Sequence, residues 1–147
     1  MNKKHSITII FVAIFVCFLI VIINKNKTMT ISSFTQLPKT QGAGGCAYYL
    51  NNQDRKNHEY LFVEDDSTRG YAFINNHNEI FGLENYDAKK DVIFYGSDKY
   101  NLQISTIRSI KFDDNFLGVE GILTVIDKKN NQKISIQIVG GCAGGNK

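Results

Sequence analysis

Two similar segments, each with two adjacent glycines followed by a cysteine, constrain this fold more than any other feature of the sequence. The first is Gly44-Gly45-Cys46-Ala47, and the second is Gly140-Gly141-Cys142-Ala143, almost at the end of the 147-residue chain. Nearly all the strand-like patterns lie between them. The two segments therefore predict one domain whose ends are brought together.

The two cysteines of these segments are expected to form a disulfide. The third cysteine, Cys17, lies in an apolar N-terminal stretch, which leaves Cys46 and Cys142 as an even pair; in an exported domain such a pair favours a bridge. The adjoining glycines fit this prediction, because residues without a Cβ let two backbones approach closely. A pair of free thiols is one alternative. A metal site that adds His58 or His77 is another, although neither cysteine has CxxC spacing.

The apolar stretch spans residues 7–23 and is flanked by lysines on both sides. As a helix it would reach roughly 26 Å, close to the thickness of the hydrocarbon core of a bilayer. No small-x-small cleavage site follows it. We therefore expect residues 1–27 to be an uncleaved, single-pass anchor in the inner membrane. Secretion after cleavage of a signal peptide is the alternative.

The rest of the chain is expected outside the cytoplasm. A short N-terminal tail, an apolar stretch and a large following domain are typical of export signals. Residues 28–41 are predicted to form a polar tether, and residues 42–147 a domain in the periplasm or the extracellular space. The abundance of Asn, Lys and Ile indicates an AT-rich genome, which favours a bacterium.

The net charge of +3 does not indicate a nucleic-acid partner. Residues 1–27 hold four of the 17 basic residues and none of the 14 acidic ones, so the remainder carries 13 basic and 14 acidic residues, a net charge of −1. The excess of positive charge therefore flanks the apolar stretch and forms no basic patch in the domain.

From Gly45 onward, apolar residues recur with a period of two, the spacing of a strand with one buried face. The clearest row consists of Leu102, Ile104, Thr106, Ile110 and Phe112. Ile107 and Arg108 interrupt this row, which predicts a bulge or bend. Further strands are predicted at residues 46–50, 59–64, 71–74, 79–84, 91–95, 117–125 and 133–138.

Seven or eight short strands, with no convincing helix after the apolar stretch, predict an all-β domain. Strands joined by short turns must be antiparallel, so a small antiparallel β-barrel or a β-sandwich is expected. We prefer a meander that closes into a barrel, because Cys46 and Cys142 would then join the first strand to the last. In broad plan the chain is similar to the small disulfide-bearing β-domains of bacterial envelopes, such as periplasmic lysozyme inhibitors, but it shares no motif with them.

Residues that could carry chemistry show no catalytic pattern. His58 and His77 sit beside turn-forming residues, and no GxSxG, SxxK or HExxH motif accompanies them. The acidic clusters Glu64-Asp65-Asp66 and Asp113-Asp114 lack calcium-loop spacing and are expected to end strands and lie in solvated turns. The glycine-rich segments match no phosphate-binding motif. We therefore predict no enzyme, no metal site and no cofactor.

Aromatic residues are abundant and fall on both strand parities, which cross-strand packing in a small sheet would explain. The pairs Tyr48/Tyr49 and Phe94/Tyr95 are informative, because adjacent strand residues cannot both point inward. They suggest an aromatic outer face that contacts a protein or stacks on sugars. The expected function is a non-enzymatic, membrane-anchored module that binds a protein or an envelope polymer and is inhibitor- or immunity-like. A structural envelope component and a small hydrolase are the alternatives.

Overall fold

The computed structural model describes residues 28–37, 45–65, 67–113 and 116–142. The elements follow in the order β1 (Ile31–Ser32), β2 (Cys46–Tyr49), α1 (Asn52–Asn57), β3 (Tyr60–Glu64), β4 (Arg69–Ile74), β5 (His77–Asp87), β6 (Val92–Gly96), β7 (Tyr100–Asp113), β8 (Phe116–Asp127) and β9 (Lys133–Cys142). The predicted anchor lies outside the described residues. No helix within the described part of the chain has the length and apolar character needed to cross a membrane.

Strands β2 to β9 form a closed, antiparallel barrel of eight strands. Each strand pairs with the next one along the chain, and β9 returns to pair with β2. Closure pairs the two outermost strands of the meander, which would otherwise present open edges. The predicted meander barrel is thus confirmed, and the sandwich is not observed.

The seam between β2 and β9 contains the disulfide. Cys46 lies directly opposite Cys142 in the ladder, and the two residues are bonded. Gly45 has a φ of +134°, and a Cβ there would overlap the carbonyl oxygen of Glu64. A Cβ on Gly140 would overlap the backbone of β2. The predicted bridge and the predicted close approach at its glycines are both confirmed.

Apolar side chains fill most of the barrel interior. The fully buried ring of Phe62 lies at its centre, 4.9 Å from the ring of Tyr95 and 6.4 Å from that of Phe81, centroid to centroid. The inward rows predicted from the period of two complete this core with Leu102, Ile104, Leu123, Val125 and Ile138. The alternation in the sequence therefore identified the interior of the barrel.

The predicted irregularity in β7 is also present. The register between β7 and β8 shifts between Thr106 and Arg108, and the side chain of Ile107 is 58% exposed. The ladder between β6 and β7 reaches only as far as Ser105, and that between β8 and β9 begins at Val119. Beyond these positions β7 and β8 continue to pair with each other, so the bulge lies where this long hairpin leaves the barrel.

Helix α1 corrects the expectation that no helix follows the apolar stretch. The side chain of Asn51 caps the helix by accepting hydrogen bonds from the backbone N–H groups of Gln53 and Asp54, at 2.8 and 3.0 Å. His58 ends it in the left-handed conformation, with a φ of 57°. Six residues are too few to show a helical hydrophobic period, so local capping decides the structure.

The segment before β2 packs against one end of the barrel, which we call the base. Strand β1 pairs with the end of β4, and Phe34 forms a bridge with Tyr60. Thr30 and Asn75 exchange two hydrogen bonds, and Met29 belongs to the hydrophobic core. Part of the predicted tether therefore packs against the closed barrel as an extra strand. The opposite end, which carries the disulfide and the β3–β4 turn, we call the mouth.

Candidate functional site

A cavity of about 480 Å³ opens at the mouth of the barrel. Its lining consists of Tyr48, Glu64, Leu83, Tyr86, Asp91, Ile93, Tyr95, Thr106, Val119, Gly141 and Cys142. Small-molecule sites occupy roughly 300–1,000 Å³, and barrels of eight strands are just wide enough to hold one small ligand. The mouth cavity is therefore the candidate site.

The strand period places three polar side chains on the inner side of this cavity. Glu64 follows the central Phe62 by two positions in β3, so both point into the barrel. Tyr48 and Tyr95 are almost fully buried, and both line the cavity. The site thus combines one carboxyl group and two phenol hydroxyls against the packed aromatic core.

Burial controls the ionisation of these groups. It raises the pKa of the Glu64 carboxyl, an effect that the Tyr95 hydroxyl opposes and the charge of Asp65 reinforces. Burial also raises the pKa of both Tyr48 and Tyr95, and the negative charge of Glu64 adds to the effect on each. The two hydroxyls therefore stay protonated at neutral pH and can donate hydrogen bonds.

The hydroxyl of Tyr95 has an incomplete set of partners. The Glu64 carboxyl lies near enough to perturb it, yet no described residue forms a hydrogen bond of good geometry with its oxygen. A buried polar atom without such a bond is unfavourable and calls for an explanation. In a cavity wall, a bound molecule is one way to satisfy it.

The rim of the cavity combines a second carboxyl group with exposed apolar surface. The hydroxyl of Tyr86 donates a hydrogen bond of 3.0 Å to Asp91 Oδ1. Tyr86 is 54% exposed and Leu83, also on β5, is 40% exposed. A partner that reaches the mouth therefore meets apolar and aromatic surface before it reaches Glu64.

Asp65 lies beside the site but serves the β3–β4 turn. Its buried carboxylate accepts hydrogen bonds from Ser67, Arg69 and Tyr71. Burial opposes its charge, but these bonds prevail and hold the pKa of Asp65 below its usual range. The expectation that the acids of this cluster are solvated is thus wrong for Glu64 and Asp65. The barrel encloses Glu64, and the β3–β4 turn folds around Asp65.

The four residues predicted to form an aromatic outer face do not share one surface. Tyr48 and Tyr95 point into the barrel and contribute to the mouth cavity. Tyr49 is buried against Tyr60, with ring centroids 5.2 Å apart, and Phe94 is half-buried. One residue of each adjacent pair faces inward, as alternation requires. Which one it is depends on strand register.

Sequence reasoning missed the remaining residues of the cavity, above all Glu64 and Asp91. The signal for Glu64 was its inward parity with Phe62. Asp91 offered no comparable signal, because it lies outside the regular strands, in a turn with a φ of 51°. The convergence of β3, β5 and β6 at one end depends on closure of the barrel, which is not a local property.

The described residues of the mouth supply hydrogen-bond acceptors, phenol donors and apolar walls. His58 and His77, the histidines considered as bases or ligands, are exposed and do not line the cavity. Within the described ranges, no group of three His, Cys, Asp or Glu residues is placed to hold a metal ion.

No protein-family model, curated protein or solved structure matches this chain.

Proposed function

We propose that this chain is a non-enzymatic binding module. Residues 7–23 would tether it to the inner membrane, and the barrel would lie outside the cytoplasm. The mouth would receive a small molecule or a protruding group of a protein or envelope polymer. The observation that carries this proposal is the mouth cavity of about 480 Å³, with apolar walls and convergent polar groups.

The construction of the mouth supports binding with little rearrangement. The walls come from strands of a closed barrel, and the Cys46–Cys142 bridge lies at the cavity itself. A cavity held open in the unbound state loses less conformational entropy on binding than a flexible one. Apolar contacts with Ile93 and Val119 would supply affinity, and Glu64 would fix orientation.

The exposed rim supports a partner larger than the cavity. Leu83 and Tyr86 are large apolar or aromatic residues that remain exposed beside the opening. Protein interfaces concentrate their binding energy where an anchor fills a pocket and surrounding residues exclude water. An inhibitor- or immunity-like contact of this kind would insert one group and cover the rim.

The test is to block the cavity and compare binding with that of a matched surface variant. Thr106→Trp adds an indole to the cavity wall, whereas Ile80→Trp adds one at an exposed position outside the cavity lining. Full-length wild type and both variants, each verified as folded by circular dichroism, are incubated with envelope extract and their bound molecules identified by mass spectrometry.

We expect wild type and Ile80→Trp to retain the same molecule and Thr106→Trp to lose it. Equal capture by Thr106→Trp would show that binding occurs elsewhere. Failure of the wild type to retain anything would contradict the binding function itself.

One observation favours a second candidate, a small glycoside hydrolase. Glu64 and Asp91 both line the mouth cavity, and burial raises the pKa of Glu64, as expected of a general acid. Hydrolysis of an envelope polysaccharide that is abolished by both Glu64→Gln and Asp91→Asn would support this candidate. Undiminished hydrolysis in either variant would eliminate it.

A further inference from the structure

The barrel buries two glutamates to the same extent, but only one of them forms an ion pair with a described residue. Glu64 at the mouth and Glu79 near the base are each 9% exposed. Glu79 accepts a hydrogen bond of 2.7 Å from Lys99 Nζ, which compensates its charge. The ion pairs found among the described residues include none with Glu64, so no described lysine, arginine or histidine compensates the carboxylate at the mouth.

The rest of the cavity does not supply the missing positive charge. Asp91 adds a second carboxylate, and the described lining residues include no lysine, arginine or histidine. Charges in a partly enclosed, low-dielectric space act more strongly than charges on an open surface. The mouth cavity therefore favours a cation and disfavours an anion.

Aromatic and apolar groups define the remainder of a complementary ligand. The rings of Tyr48, Tyr86 and Tyr95 lie in the wall, and aromatic rings attract ammonium groups through the cation–π interaction. The Tyr95 hydroxyl is buried without a hydrogen bond of good geometry to a described residue. Leu83 and Val119 add apolar surface. Such walls suit an organic cation better than a hydrated metal ion.

We propose that the mouth cavity binds an organic ammonium group carried on an apolar or aromatic scaffold, with Glu64 as its counter-ion. This inference rests on the proposed binding function and specifies the chemistry of the ligand. The ammonium group would lie beside the Glu64 carboxylate and the tyrosine rings. The scaffold would extend past Leu83 and Val119 toward the rim.

Three probes of matched shape test the inference: 4-phenylbutylamine, 4-phenylbutanol and 4-phenylbutyrate. Isothermal titration calorimetry at pH 7.5 measures their binding to the full-length chain in lipid nanodiscs, with empty nanodiscs as the blank. We expect the amine to bind about tenfold or more tightly than the alcohol, and the carboxylate to bind most weakly. Glu64→Gln should remove the preference for the amine. Glu79 is equally buried but lies outside the cavity lining, so Glu79→Gln should retain the preference for the amine.

The outcomes separate this inference from the proposed function. If the alcohol binds as tightly as the amine in wild type, the ammonium preference is wrong and the cavity remains a binding site. If Glu64→Gln keeps the preference, Glu64 is not the counter-ion and the inference is overturned. If none of the three probes binds, the inference is likewise overturned, whereas the proposed function is decided separately by the comparison of Thr106→Trp with Ile80→Trp.

Discussion

The carboxylate of Asp65 offers a direct test of how the mouth is held together. Its Oδ1 accepts hydrogen bonds from the backbone N–H groups of Ser67 and Arg69 at 2.9 and 3.0 Å and from the Ser67 hydroxyl at 2.7 Å. Its Oδ2 accepts from Arg69 Nε at 3.2 Å and from the Tyr71 hydroxyl at 3.0 Å. We predict that Asp65→Asn destabilises the barrel by about 1.5–4 kcal/mol.

The magnitude follows from what asparagine can and cannot replace. An amide oxygen in the place of Oδ1 would keep three acceptor contacts, but the NH₂ group would then face Arg69 and Tyr71. Losing the bond from the buried Tyr71 to a charged acceptor costs about 1.5–3 kcal/mol. The side chain of Arg69 is half-exposed, so losing its ion pair adds at most about 1 kcal/mol.

Asp87→Asn is the matched control. Asp87 also accepts hydrogen bonds from two backbone N–H groups in a turn, those of Lys89 and Lys90, but it is only partly buried. We expect this substitution to cost less than about 1 kcal/mol. Urea unfolding followed by circular dichroism measures both variants. An Asp65→Asn variant no less stable than Asp87→Asn would refute the reasoning.

The pH dependence provides a second readout of Asp65. The pKa of the Asp65 carboxyl is lower in the folded state than in the unfolded chain, where it is about 4. The ionised carboxylate therefore stabilises the barrel fully at pH values above about 4, and this stabilisation is lost as the pH falls below that value. The difference in stability between wild type and Asp65→Asn should therefore narrow on acidification. A difference that stays constant between about pH 7 and pH 3 would contradict this assignment.

Two further predictions concern the seam between β2 and β9. The Cys46–Cys142 bridge closes a loop with a sequence separation of 96. Replacing both cysteines by alanine should therefore lower the free energy of unfolding, measured in urea, by up to roughly 4–5 kcal/mol. A reductant should have no further effect on the stability of this double variant. Gly140→Ala should lower the melting temperature markedly, because its Cβ would overlap the backbone of β2, whereas Gly82→Ala, with open space around the added Cβ, should have little effect. Equal melting temperatures for the two alanine variants would show that β2 and β9 can move apart at Gly140 without loss of stability, and would contradict this prediction.

The fold was predictable where the pattern was local. Alternation in β7, β8 and β9 identified the inward residues, the break at Ile107 identified the bulge, and the paired cysteines identified the seam. Helix α1 escaped prediction because side-chain capping by Asn51, with no hydrophobic period, determines it. Hydrophobic alternation is thus sufficient to identify long strands, but it does not identify a short helix that depends on a cap.

The site was predictable only in part. The adjacent tyrosines showed that one of Tyr48 and Tyr49 faces inward, but only the register with β3 and β9 determines which. Glu64 had the parity of the inward row, yet an acid at the end of a strand is more often solvated. The burial of Glu64 depends on closure of the barrel around it, and neighbouring residues in the sequence do not encode that closure.

The position of β1 has a consequence for how the molecule would be presented. The described chain begins at the base, where Met29 packs into the core, and the cavity opens at the other end of the barrel. If the predicted anchor holds the N-terminus in the membrane, the barrel acts as a spacer that directs its opening away from the bilayer. The opening would then be accessible to molecules that approach from the cell wall or from outside the cell, while lipid headgroups would meet the base.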